Sequence, residues 1–140
     1  MLEALCIEGS CSSGLWWARL LTSAFLAVLF LQSGLDKVVD KQGNLDWLTG
    51  HFDNSPFAGH VPTLLNVVTG VELLAGGFSA IGFVVVMLSG STGLAFTGAL
   101  FSGVALTMLF VGQRLAKDYA GAAVLVPYFI LTIMALLLFA

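Results

Sequence analysis

From Leu73 to Gln113 the chain runs for 41 consecutive residues without an Asp, Glu, Lys, Arg or His. Drawn as one helix at about 1.5 Å per residue, that run is roughly 60 Å long, twice the hydrocarbon thickness of a bilayer, so it must hold two crossings joined by a turn. The composition agrees, being 59% hydrophobic and 9% charged over 140 residues, where soluble domains have roughly 45–50% and 25%. Five basic and eight acidic side chains cannot cover a water-soluble body of this size. The chain is read as an all-α membrane protein.

Four crossings account for a single domain over residues 1–140. The first, about 15–35, opens on Trp16-Trp17, whose rings suit the membrane interface, and ends at Asp36-Lys37. A polar, partly helical loop, 36–61, follows; Val38-Val39, Leu45, Trp47-Leu48 and Phe52 form the apolar side of one or two short helices lying on the membrane or folded back over the bundle. Asn54-Ser-Pro-Phe and His60-Val-Pro62 are turn signals, and Pro62 fits the first turn of the second crossing, about 62–88. Ser89 to Gly93 make a hairpin to the third crossing, about 94–112; Lys117-Asp118-Tyr119 lead into the fourth, about 120–139, which contains Pro127. Ala95, Ala99, Gly103 and Thr107, at four-residue spacing, form a small-residue ridge for close helix packing, and Gly70, Gly76, Gly77 and Gly82 thin the second crossing.

Several function classes drop out. A net charge of −3 and the absence of a basic cluster argue against nucleic acid and against a polybasic lipid anchor. Cys6 and Cys11, spaced Cys-x4-Cys, match neither a zinc signature nor a CxxC redox motif and are read as incidental. Residues 1–14 carry Glu3 and Glu8 without a preceding cation, unlike a secretory signal peptide, and are read as a retained tail. His51, Asp53, His60 and Asp46 lack the spacing of a metal motif, so no metal site is assigned.

Glu72 is the costly residue. It stands about ten residues into the second crossing, where insertion scales charge an acid roughly 2.5–3.5 kcal/mol, so it must face the bundle interior and find a partner or a task. Two readings stand side by side: a structural ion pair with Arg19, and a proton-handling or ligand-binding carboxylate. Arg19, beside the Trp pair, is also placed to snorkel as an interfacial anchor, and it lies toward the membrane surface opposite the polar loop. On the polar side gather Asp36, Lys37, Asp40, Lys41, Arg114, Lys117, Asp118 and Tyr119 with both histidines, His51 and His60. Four of the cations lie there, which by the positive-inside rule puts that face in the cytoplasm and both termini outside.

The order of Arg19, then Leu29-Phe-Leu-Gln-Ser-Gly34-Leu-Asp-Lys37, Phe52-Asp-Asn-Ser-Pro56, Glu72-Leu-Leu-Ala-Gly76-Gly and Asp118-Tyr-Ala-Gly-Ala-Ala123 resembles the DoxX family of small four-helix membrane proteins. The resemblance covers the chain from about residue 16. It implies a four-helix bundle in a bacterial or archaeal plasma membrane, and a subunit of a redox or quinone-linked membrane system. Arg19, Lys37, Glu72 and Asp118, with neighbouring Asp36, would then surround a quinone-sized or small-anion pocket, with a quinone as the cofactor and other subunits of a membrane redox complex as partners. The fold is also similar to membrane thiol oxidoreductases of the vitamin K epoxide reductase kind, but no cysteine follows Cys11, which argues against disulfide exchange. The alternative is a non-catalytic accessory or assembly subunit. A transporter is disfavoured, since four helices without an inverted repeat enclose little volume.

Overall fold

The computed structural model describes residues 10–140, all helices and short links: α1 (Ser10–Val39), α2 (Lys41–His51), α3 (Val61–Ser89), α4 (Gly93–Leu115) and α5 (Tyr119–Phe139). Four of them, all but α2, are long and apolar enough to span a membrane. They form an antiparallel bundle in which α1 lies against α3, α3 against α4 and α4 against α5, while α1 touches α4 and α5 more sparingly. Side chains such as Leu21, Val28, Leu88 and Leu137 are exposed on its outside, as lipid-facing positions should be, and the interior is filled mainly by Leu26, Phe30, Ala75, Ala99, Ala105 and Ala135.

The helices are longer than the apolar pattern alone indicates. Helix α1 does not stop at Leu35: it carries Asp36 and Lys37 inside its last turn and breaks only at Asp40, whose carboxylate accepts a hydrogen bond from Gly43 N at 3.2 Å and caps α2. At the other end it begins at Ser10, so residues 10–14 belong to the helix rather than to a tail. The proposed tail up to residue 9, including Glu3, Cys6 and Glu8, lies outside the described residues, as does the side chain of Cys11. The polar segment holds one helix, α2, followed by tight turns to Pro62 at the start of α3. Gly90 ends α3 in the left-handed conformation (φ 74°), which glycine adopts without a Cβ penalty and which turns the chain into α4.

Small residues set the helix spacing. A methyl group at Gly76 would sit 2.6 Å from the backbone nitrogen of Leu31, and one at Gly82 would sit 2.5 Å from that of Ala95, so α1 and α4 pack backbone-close on α3. Gly70 and Gly77 meet nothing within 4 Å and play no such part. The expected α4 ridge is half realised. Ala95 and Ala99 are buried, but the buried stripe then passes to Ser102, Ala105 and Leu106, and Thr107 is exposed. A four-residue repeat runs slightly ahead of 3.6 residues per turn, so a straight row drifts off the packed face within three turns.

The end of the bundle opposite the polar segment is closed by side chains. The last carbonyls of a helix have no intrahelical donor. Here Arg19 Nε donates to Leu138 O at 3.0 Å, and Thr92 Oγ1 donates to Phe139 O at 2.8 Å.

Candidate functional site

Glu72 lies on the face of α3 that meets α1 and is 1% exposed. Across from it, one turn apart on α1, stand Ser33 and Lys37. Ser33 Oγ donates to Glu72 Oε1 at 2.9 Å, and Lys37 Nζ stands 2.9 Å from Oε2 while donating to Ser33 Oγ at 2.8 Å and Ser33 O at 3.2 Å. The contact between Nζ and Oε2 is an ion pair without hydrogen-bond alignment, so Oε2 is a buried acceptor that receives no hydrogen bond from the described residues. Gly34 faces Leu73, the neighbour of Glu72, where an added Cβ would stand 2.7 Å from Leu73 Cδ2 and 3.4 Å from its backbone nitrogen. The ammonium is held by a rigid buried counter-charge, and its side chain keeps 16% of its surface accessible.

Lys37 also borders a cavity of about 330 Å³ between α3, α4 and the polar segment. Leu48, Phe52 and Phe57 wall it from α2 and the following turns, Val61, Leu65 and Val68 from α3, and Met108, Val111 and Gly112 from α4. Its surface is almost wholly apolar; Lys37, Gln113 and Thr107 are the polar residues at its border, and the Gln113 amide oxygen is taken up by His51. An apolar chamber with a few convergent polar groups is the usual form of a small-molecule site, and this volume is at the low end of the range of roughly 300–1,000 Å³.

A second polar knot fastens the polar segment over the cavity. His51 Nε2 is 2.7 Å from Gln113 Oε1 and 3.6 Å from Asp118 Oδ2, and its ring stacks on Trp47 with centroids 4.6 Å apart. Asp118 Oδ1 accepts from Gly121 N at 2.9 Å and caps α5, so one carboxylate starts a helix and also faces the histidine that ends α2. Arg114 lies over the Tyr119 ring at 4.6 Å.

The structure unites some of the sequence candidates and separates others. Glu72 and Lys37 come together, with Lys37 on the cavity wall. Arg19 does not pair with Glu72: it sits at the opposite end of α1 and donates to the Leu138 carbonyl near the end of α5, because antiparallel packing brings the C-terminal end of α1, not its start, beside Glu72. Asp118 belongs to the His51 knot rather than to the Glu72 cluster. Asp36 is exposed and contributes only its carbonyl, to Asn44 Nδ2 at 3.3 Å. Asp40 caps α2, and Lys41, His60 and Lys117 are exposed on the same end of the molecule. Ser33 and Gln113 were not singled out from the sequence, although Ser33 is one helical turn before Lys37 and Gln113 closes the uncharged run. Among the described residues no group of three or more His, Cys, Asp or Glu side chains is gathered as a metal site would require. No protein-family model, curated protein or solved structure matches this chain.

Proposed function

We propose that this chain is a quinone-binding subunit of a membrane redox system, with Lys37 as the group that recognises the quinone head. The observation that carries this reading is the position of Lys37, fixed from behind by buried Glu72 and Ser33 and bordering an apolar cavity. The residues fit such a head. A quinone carbonyl is a hydrogen-bond acceptor, the Lys37 ammonium has three N–H donors of which two are given to Ser33, and the walls offer Phe52, Phe57, Leu65 and Met108 to a flat ring. When bound, the quinone supplies the capacity to accept electrons and protons. The protein's own side chains orient it: Glu72 keeps the ammonium in place, and the aromatic side chains of the polar segment keep water from the ring. Delivery of electrons belongs to a partner subunit. The resemblance of the Ser33 to Lys37 and Glu72 to Gly77 segments to DoxX proteins supports the same reading and a bacterial or archaeal plasma membrane as its setting.

The test is equilibrium dialysis of decylubiquinone against the protein in nanodiscs, with empty nanodiscs subtracted. Saturable binding is expected, weakened about tenfold, or roughly 1.4 kcal/mol, by the neutral pair Lys37→Met with Glu72→Gln. Absence of saturable binding to the folded wild type, or equal affinity of the double variant, overturns the reading and leaves the accessory-subunit alternative in its place.

A further inference from the structure

The cavity at Lys37 has a neighbour. A groove of about 300 Å³ lies between α4 and α5, bounded by Leu106, Phe110, Leu125, Val126 and Phe129. Thr107 borders both spaces. Positions 107 and 111 line the cavity, and 106 and 110 line the groove; these are adjacent rows of the same helix, so a single ridge of α4 separates the two. The ridge is low at that point. Thr107 is short, its hydroxyl donates to Gly103 O at 2.8 Å, and Gly103 one turn away has no side chain at all. Here the small-residue row of α4 leaves the packed interior and comes to the surface. Phe110, Val111, Val126 and Phe129 are all exposed around it, so a chain crossing the ridge lies at the lipid-facing surface.

Both linings are almost wholly apolar, and the two spaces differ in the polar residues that stand at their borders. The cavity has Lys37 and Gln113, whereas Thr107 is the one polar residue of the groove and its hydroxyl is already satisfied by its own helix. We propose that the occupant of the site is a long-tailed amphiphile: a head with an accepting oxygen is held at Lys37, and a hydrocarbon tail crosses α4 over Thr107 and lies in the groove between α4 and α5. This deepens the reading above and rests on its placement of the head at Lys37. A tailed quinone and a fatty acid share the required chemistry, an accepting oxygen on a hydrocarbon chain.

The experiment uses two probes in nanodiscs, a decyl quinone and a fatty acid, each with a diazirine at the tail end, and maps the cross-links by mass spectrometry. Labelling is expected in residues 106–110 and 125–129. It should fall about tenfold in Thr107→Trp, which raises the ridge at an exposed position, and in the Lys37→Met, Glu72→Gln pair, which releases the head. Val126→Trp, also at an exposed position, fills the groove and serves where Thr107→Trp does not fold. A tail-less quinone should bind Val126→Trp as it binds wild type, since Val126 lines the groove and not the cavity. If the quinone probe labels the groove in this Lys37-dependent way, both readings stand. If only the fatty acid does, the tail proposal stands and the quinone reading fails. Labels spread evenly around the bundle, or unaffected by Thr107→Trp and Val126→Trp, overturn the tail proposal even where a quinone head binds.

Discussion

Glu72 is an acidic side chain inside an apolar helix, and its environment decides what its removal or that of its partner does. Deleting one member of a buried ion pair leaves an uncompensated charge and costs about 3–5 kcal/mol, whereas replacing both members by neutral groups of similar size is often neutral or stabilising. Lys37→Met alone is therefore expected to destabilise the protein by about 3 kcal/mol or more, and Lys37→Met with Glu72→Gln by no more than about 1 kcal/mol. SDS-driven unfolding of the reconstituted protein, followed by circular dichroism, measures both. Additive losses would show that Lys37 and Glu72 do not act as a pair. Glu72 itself was legible in the sequence, because hydropathy alone marks an acid among Val67-Val68 and Leu73-Leu74 as costly. Its partner was not. Pairing depends on where α1 ends and how it is rotated against α3, and a helix ended before Asp36 leaves Lys37 in a loop, where its spacing from Ser33 carries no meaning. Arg19, read as a partner for Glu72 or an interfacial anchor, answers a different need, the bare carbonyl of Leu138 near the end of α5.

At the scale of helices, the glycines of α3 fall into two classes that composition cannot tell apart. Gly82 faces the Ala95 backbone, where an added Cβ would stand at 2.5 Å, while Gly77 faces open space. Gly82→Ala must push α4 outward and strip close packing from the bundle, the main source of helix association in lipid. Gly77→Ala meets nothing and gains helix propensity of up to about 1 kcal/mol. The expected outcome is a melting temperature lowered by the first substitution and unchanged or raised by the second, measured by thermal unfolding in one detergent. Equal responses would show that the α3–α4 contact is looser than described. The number and order of the crossings were legible from apolar run length, since the bilayer fixes a minimum length for each. The extra turns were not, because residues such as Asp36, Lys37, Gln113 and Arg114 stay helical at the membrane boundary, where their side chains reach polar surroundings. The drift of the α4 stripe away from Thr107, by contrast, follows from the spacing itself, since a four-residue repeat outruns 3.6 residues per turn.

For the whole molecule, helix alternation gathers the polar chemistry at one end. The end of α1, all of α2, the start of α3 and the link between α4 and α5 share it, whereas Arg19, the link at Ser91 and the end of α5 occupy the other. Lys41, Arg114 and Lys117 are exposed at the polar end, so even with Lys37 committed to Glu72 that end has the larger share of free cations. Loops with an excess of Lys and Arg stay in the cytoplasm. With Cys6 and Cys11 replaced by Ser, single cysteines at Asn54, Ala116 and Ser91 separate the two ends. A membrane-impermeant maleimide applied to intact cells is expected to label Ser91→Cys, and to reach Asn54→Cys and Ala116→Cys only after the membrane is opened. Labelling of Asn54→Cys and Ala116→Cys from different sides would break the four-crossing topology. Labelling of both from outside would keep that topology and reverse its orientation, placing the His51 knot and the roof of the cavity on the outer surface.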